Sequence, residues 1–590
     1  MRRTPVFLLL LVALSFGLRI FLLGSQELRG DEGFSWNYIQ GSPDIILHRI
    51  IAEGDPQPPL HYWLLWSWTR LGGDSEFSLR FPSAFLSLLL VPLMYQVGRK
   101  LLGRQIGLLA ATLTSVHPQQ IWLAQDARSM YLLALVGILI ATWFLPNLLR
   151  HGHPKYWIGY VFFSLIAMYS HYYALFALIG HGGYVLAVRH NTRRWLGAGI
   201  AIAAFVAPWA MIVLPILAGS QLADPGHLTF SQFTAAVFGD LIAGPVFPAA
   251  QQAIIASVFG LIALVGLFAF AKIRLYLIAA VAIPFVGIYA ILGTRSTFNP
   301  YYFIFAFPAV YLLLSAGIVT LAKRWRPIGL LSLALLTVIG MIGLEHHYFD
   351  PRYSKTRGLR DVAVHLAAEA QPGDGYLANF PDPVQGYYLR QLNLPYAMLP
   401  TTPNFDQKEI GAALSRLNYS SIWFVPTKAS NWDRAGYVQT RLLDTALLLE
   451  DNSFDKMRLM LFVPPDRATP LEARFADGIN LVGYALMPNR LTLVWQTTAT
   501  PSANYTIFVH ALASDGFLVA QHDAPPSHPT STWQPRQLII DIHEFTIPAD
   551  QPITLVAGLY LPSTGQRLQL QTSPAMESDA TRIITLNSGP

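Results

Sequence analysis

From Pro5 to Glu345 the chain is a succession of apolar runs, each about twenty residues long and separated by short polar connections. At 1.5 Å rise per residue a helical run of that length crosses about 30 Å of hydrocarbon. The pattern predicts spans at roughly 5–23, 82–102, 105–123, 129–149, 155–171, 172–189, 195–218, 250–271, 274–293, 300–321 and 327–345, about eleven in all. It also explains the composition. A 590-residue chain with 53% hydrophobic residues is too apolar for one soluble protein, and the excess sits before residue 345. Met1-Arg2-Arg3 and the run that ends at Leu23 read as an uncleaved first span, because no small-x-small cleavage site stands at its end.

Charge orients these spans. The formal net charge of +6 does not form one basic stripe of the kind that binds nucleic acid; the basic residues fall in short clusters between apolar runs. Alternate connections carry Arg2/Arg3, Arg99/Lys100/Arg104, Arg150/Lys155, Arg189/Arg193/Arg194, Lys272/Arg274 and Lys323/Arg324/Arg326, whereas the short opposite connections carry only Arg128 and Arg295. The bias of about fifteen to two assigns the basic side to the cytoplasm, in a cell or inner membrane, with a cytoplasmic N-terminus. An odd number of spans then exports everything beyond Glu345. The first long loop (24–82), the Gln125-Asp126-Ala127-Arg128 turn, the Ser170-His171-Tyr172 turn and the Arg295 turn all emerge on the outer face, away from cytoplasmic nucleotide donors.

That face holds the candidate chemistry. The first loop carries Gly30-Asp31-Glu32-Gly33 close behind the first span, then Asp55-Pro56-Gln57-Pro58-Pro59-Leu60-His61-Tyr62, whose prolines stiffen it. Leu60 to Trp66 is amphipathic and aromatic, suited to the membrane interface. The loop closes on Ser75-Glu76-x-x-x-Arg80-x-Pro82-Ser83, and the next outer turn leads into Asp126-Ala127-Arg128-x-x-Tyr131. With no cysteine in the chain, disulfides, thiolate zinc sites and thiol nucleophiles are excluded.

These four motifs, in this order and on this topology, resemble the lipid-dependent glycosyltransferases of the GT-C superfold. They are most similar to the bacterial branch that holds protein O-mannosyltransferases, aminoarabinose transferase and the rhizobial lipopolysaccharide sugar transferases. The resemblance covers residues 1–345. It implies a polyprenyl-phosphate-linked sugar donor, an extracytoplasmic acceptor that is lipid, glycan or protein, and inversion at the anomeric carbon. It assigns Asp31 as general base and Glu32 as the supporting acid. Around the donor phosphate and substrate it gathers Asp55, Gln57, His61, Tyr62, Asp126, Arg128, Tyr131, His171, Tyr172, Arg295 and Tyr302. Gln57 stands where many relatives carry His or Lys, and Tyr301-Tyr302 where Arg-Tyr is common. A divalent metal is chemically compatible with carboxylates that face a phosphate, although no ligand spacing requires one and no other cofactor is implied.

Each candidate has a plainer alternative. Arg128 and Arg295 could anchor lipid phosphates, His61 and His171 could sit neutral at the interface, and Tyr301-Tyr302 could be an aromatic belt. Arg19 is expected to snorkel, and His181 to pack beside Gly182-Gly183. A transporter or flippase of lipid-linked sugars is the alternative function.

Beyond the spans, helical and strand-like stretches alternate from 346 to 464, as in a small α/β domain. From 471 to 590, short strands between Pro, Gly, Ser and Asp clusters predict a β-sandwich. In it Trp495, Trp533 and Tyr560 are either core or a sugar-stacking surface. The fold class expected is therefore a polytopic α-helical membrane domain of GT-C type, followed by an extracytoplasmic α/β domain and a C-terminal β-sandwich.

Overall fold

The computed structural model describes residues 3–53, 57–151, 153–188, 192–219, 229–292, 299–403, 405–427, 432–546, 552–572 and 579–586. It divides into two compact units, Met1–Thr356 and Arg357–Pro590.

The first unit is helical. Seven helical segments are long and apolar enough to cross a membrane: Glu76–Leu101, Met130–Arg150, Thr192–Ile216, Ala249–Ala269, Ala271–Ile291, Tyr301–Arg324 and Arg326–Phe349. The other four expected spans fall on shorter or broken helices, Arg3–Ile20, Arg104–Val116 with Pro118–Ala124, Pro154–Ser170 and Ala174–Val188. Length and composition thus support a multi-pass membrane protein with seven crossings marked among the described residues.

The break inside the expected 105–123 span has a local cause. Pro118 has no N–H for the carbonyl four residues back, so His117 turns extended and the helix restarts, with His117 Nδ1 accepting Gln119 N–H at 3.2 Å. The freed carbonyls of Thr114 and Ser115 accept from the Arg19 guanidinium at 3.1 and 3.0 Å, while Arg19 Nε donates to Ser87 Oγ at 2.9 Å. Arg19 is fully buried, so it does not snorkel; it closes a helix end, where a cation complements the terminal dipole. His181 is buried as well and bonded through both ring nitrogens.

The expected first loop is largely helical, with Gly30–Tyr38, Pro43–Ala52 and Leu60–Gly72. The following helix starts at Glu76 rather than Pro82, because Ser75 Oγ caps it by accepting Ser78 N–H and Pro82 is then an interior helical residue. Farther along, Gly98 lets this helix touch Arg104–Val116: a Cβ there would lie 2.8 Å from the Gly107 Cα.

The second unit begins with helix Leu359–Glu369 against a mixed sheet of β1 (Gly375–Ala378), β2 (Tyr396–Met398), β3 (Ile422–Val425), β4 (Leu447–Phe454) and β5 (Met457–Val463). The order is β2-β1-β3-β5-β4, parallel across the first three and antiparallel beyond. Leu377, Phe424 and Phe462 from the sheet meet Ile410, Val438 and Leu442 from helices Gln407–Arg416 and Tyr437–Thr445.

Nine further strands follow: β6 (Thr469–Phe475), β7 (Ile479–Met487), β8 (Arg490–Thr497), β9 (Thr506–Ala513), β10 (Leu518–Ala524), β11 (Leu538–Glu544), β12 (Ile553–Tyr560), β13 (Leu570–Thr572) and β14 (Thr581–Leu586). They form sheets β11-β8-β7-β6-β13 and β10-β9-β12-β14, whose inward residues share one core. Trp495 and Trp533 lie at 0% and 1% exposure in that core, which withdraws them from any sugar-stacking surface.

Candidate functional site: an ion-pair cluster beneath one accessible carboxylate

The short helix Gly30–Tyr38 sets the site. Asp31 and Glu32 occupy its first turn, where acids complement the helix dipole, and Glu32 accepts the Arg29 N–H at 2.9 Å. Successive helical residues point about 100° apart, so the two acids face different surroundings. Glu32 turns inward and is fully buried. It accepts Arg80 Nε at 2.8 Å and Nη2 at 2.9 Å, Arg29 N–H, and Ala127 N–H at 2.9 Å, which fills both oxygens. Burial pushes its carboxyl up, but Arg80, Lys355 and these hydrogen bonds together outweigh burial and hold it far below the ordinary range. Glu32 ties helix Gly30–Tyr38 to the turn at 125–128; it has no lone pair left for a substrate.

Arg80 completes that tie. Its remaining N–H groups donate to the carbonyls of Leu23, Gln26 and Glu27 at 3.0, 2.8 and 2.7 Å, fixing the chain between the first helix and Asp31.

Asp31 turns the other way and keeps 49% of its side chain accessible, whereas Glu32 and Asp126 retain 0% and 1%. Its Oδ2 accepts Arg128 Nη1 at 2.7 Å and lies 3.4 Å from Arg29 Nη2. The low-dielectric surroundings push the Asp31 carboxyl up, with Arg29 pulling it back and Asp126 and Glu32 adding to the rise. Arg128 is held on both sides: Asp126 accepts from its backbone N–H and Nε at 3.0 Å, and its Nη1 donates to Tyr301 Oη at 2.8 Å. Asp126 also accepts from Arg29 Nη2 at 3.0 Å and lies 3.8 Å from Lys355 Nζ; burial pushes its carboxyl up against the pull of these cations. Lys355, buried and donating to Gln125 O at 2.6 Å, is pushed down to about 8 by desolvation. Trp122 stacks beneath, with Arg29 and Lys355 each 4.9 Å from its ring.

From Arg128 an aromatic wall leads outward. Tyr131 and Tyr301 rings lie 5.0 Å apart, Tyr131 and His171 4.9 Å, and Tyr131 and Tyr302 6.1 Å. Gln57, His171, Tyr172 and Tyr302 line the polar end of a cavity of about 440 Å³, whose remaining wall is largely apolar. Tyr172 Oη is fixed by Trp209 Nε1 at 2.9 Å. His171 Nδ1 accepts Tyr173 N–H at 3.2 Å, which places its ring proton on Nε2.

His61 is buried beside this wall, Nδ1 at 2.8 Å from Ser129 Oγ, and burial pushes it down to about 3. Held neutral, its ring offers hydrogen bonds to a phosphate but no positive charge. Its Nε2 has no protein partner and is available only as a neutral hydrogen-bonding group. Tyr62 packs on Tyr38, 5.0 Å away, in the loop core. Asp55 and Arg295 lie outside the described residues.

Arg29, Arg80, Lys355 and Trp122 were not among the expected site residues. Arg29 is next to the Gly-Asp-Glu motif and Arg80 is inside the Ser75–Ser83 motif, so both carried a signal. Lys355 and Trp122 carried none. Among the described residues no group of three His, Asp or Glu side chains converges as a metal ligand set. Glu32 and Asp126 are filled by N–H donors, which leaves Asp31 as the acid of this cluster with accessible oxygen.

The helical unit that carries this cation–carboxylate cluster and its apolar cavity has the fold of the GT-C glycosyltransferases. Residues 56–217 match the family model described as dolichyl-phosphate-mannose-protein mannosyltransferase, a segment that includes Asp126 and Arg128 and begins after Asp31. Among solved structures, ArnT from Cupriavidus metallidurans in the apo state is similar at TM-score 0.51 and 15% identity, over 78% of this chain and 98% of that one. The same protein bound to undecaprenyl phosphate matches at TM-score 0.50, with the same identity and coverage. The Archaeoglobus fulgidus oligosaccharyltransferase, at TM-score 0.48 and 8% identity over 95% of this chain and 98% of that one, is too distant to argue from. No curated protein sequence matches the chain.

Proposed function

We propose that this protein transfers a hexosyl or pentosyl group from a polyprenyl-phosphate donor to an extracytoplasmic acceptor, with Asp31 as general base and inversion at the anomeric carbon. The observation that carries this reading is the accessibility of Asp31 beside two acids, Glu32 and Asp126, that are wholly buried. An accessible carboxylate whose pKa is raised is a stronger base than an ordinary one, and Arg29 and Arg128 beside it favour its charged form.

In the step proposed, Asp31 takes the proton of the acceptor hydroxyl as that oxygen bonds to the anomeric carbon. The bond from that carbon to the phosphate oxygen breaks, and polyprenyl phosphate leaves with one more negative charge than the donor carried. Arg29, partly accessible, is placed to meet the growing phosphate charge. Arg128, held by Asp126, Asp31 and Tyr301, orients the base. His61 and His171 supply neutral donors. The cavity lined by His171, Tyr172 and Tyr302 receives the first part of the prenyl chain, a reading supported by the undecaprenyl phosphate in the similar ArnT structure. Catalysis needs no metal in this scheme. The orientation that suits it is a cytoplasmic N-terminus, with residues beyond 345 outside. No comparison supports the transporter alternative.

Asp31→Asn tests the base. Asn still accepts the Arg128 hydrogen bond, so folding is preserved, while transfer from a lipid-linked donor in proteoliposomes is expected to fall roughly 10²–10⁴-fold. Transfer at the wild-type rate would remove Asp31 from the mechanism.

A further inference from the structure

Two cavities meet along helix Thr192–Gly219. The first is the cavity at the site, and the second, also about 440 Å³, lies against Tyr160, Leu178, Ile179, Trp195 and Gly199. Met168, Leu175, Val206 and Ala210 line both, so they are one groove. On the long helix the lining residues are 195, 199, 202, 203, 206, 207, 210, 213 and 214, with Trp209 beside them. These recur at three- and four-residue intervals and make a single face. From Leu214 to Trp195 that face runs roughly 28 Å at 1.5 Å per residue, close to the thickness of the hydrocarbon core.

The two ends differ in kind. One opens beside His171 and Tyr302, next to the cation cluster. The other stops on a pinned polar wall: Trp195 Nε1 donates to Tyr160 Oη at 3.2 Å, Tyr160 Oη lies 3.0 Å from His181 Nδ1, and His181 Nε2 lies 3.0 Å from Thr142 Oγ1. Gly182 lets the indole seat closely, since a Cβ there would lie 3.2 Å from the Trp195 ring. A side chain held on two sides cannot swing away at low cost, so the wall is a fixed stop rather than a yielding one.

We infer that this groove measures the isoprenoid chain of the lipid donor, and that the Trp195–Tyr160–His181 wall sets how many prenyl units bind inside the protein. This rests on the transferase reading, which puts the phosphate at the His171 end. Prenyl units up to the wall exchange lipid contact for fixed protein contact; those beyond it must turn out into the bilayer and add no affinity.

Gly199 supplies the test. A Cβ on Gly199 meets nothing within 4 Å, so a side chain there enters the groove without moving the backbone. Gly197 is equally open and lines neither cavity, which makes Gly197→Phe the control on the same helix. Full-length protein in nanodiscs is titrated with decaprenyl-length, farnesyl-length and geranyl-length monophosphates. Wild type and Gly197→Phe are expected to bind the longest at least about tenfold more tightly than the shortest, whereas Gly199→Phe, one turn from the wall, should hold the two shorter lipids unchanged and lose the part of the gain that lies between the farnesyl and decaprenyl lengths. If Gly199→Phe keeps the full chain-length preference, or loses short and long lipids alike, the groove is not a gauge while the donor site stands. If wild type binds none of the three lipids, the donor reading itself fails.

Discussion

Arg80→Met is the most informative single change. It leaves the Glu32 carboxylate buried without the guanidinium that meets both its oxygens, and it orphans the carbonyls of Leu23, Gln26 and Glu27. Removing one partner of a buried ion pair costs about 3–5 kcal/mol, and the freed carbonyls keep the loss in the upper part of that range. The cost falls on the segment that Arg80 ties down, residues 23–38, rather than on the whole bundle. Amide exchange there should accelerate by about three to nearly four orders of magnitude, while helix Met130–Arg150, in the bundle core, keeps its protection. Glu32→Gln in the same background should recover part of the loss, because it removes the stranded charge. Hydrogen exchange read by mass spectrometry on the solubilised protein gives both numbers. If exchange in 23–38 changes less than about fivefold, equivalent to roughly 1 kcal/mol, Glu32 and Arg80 do not organise the site and the geometry argued from them is wrong.

Two other outcomes follow from the site and the orientation. Arg29 lowers the Asp31 pKa against burial, so Arg29→Gln should raise it further and move the acid limb of the transfer rate to higher pH; a stationary or lowered limb would sever Arg29 from Asp31. The sign for stability agrees: a carboxyl raised on folding contributes stability below its unfolded pKa and loses it as pH rises through the folded one, so the variant should lose it over a wider interval. Reporter fusions at Arg193 and Ser514 are expected on opposite faces of the membrane, and finding both on one face would break the proposed orientation.

The apolar spans were legible because twenty-residue runs leave few alternatives, and the convergence of Asp31, Asp126, Arg128 and Tyr131 was legible because their motifs lie in alternate connections between those runs. What the sequence hid has physical reasons. The run at 105–123 is apolar on both sides of His117-Pro118, so hydropathy could not show the helix breaking there. Asp31 and Glu32 look like a catalytic pair in one dimension, but the helical rotation between them gives one to solvent and the other to Arg80. Lys355 reaches Gln125 across 230 residues, a contact that no local pattern encodes.

Arg19 carries a consequence for how the chain is assembled. The first helix leaves the ribosome with a guanidinium in its apolar face, and the carbonyls that will receive it, on Thr114 and Ser115, are synthesised 95 and 96 residues later. Until then its guanidinium has only the Ser15 carbonyl and hydroxyl of its own helix and, later, the Ser87 hydroxyl to bond, and a charge in hydrocarbon is costly. Helix Arg3–Ile20 therefore reaches its final packing only when the proline break arrives, and a substitution that straightened that break would be felt at Arg19.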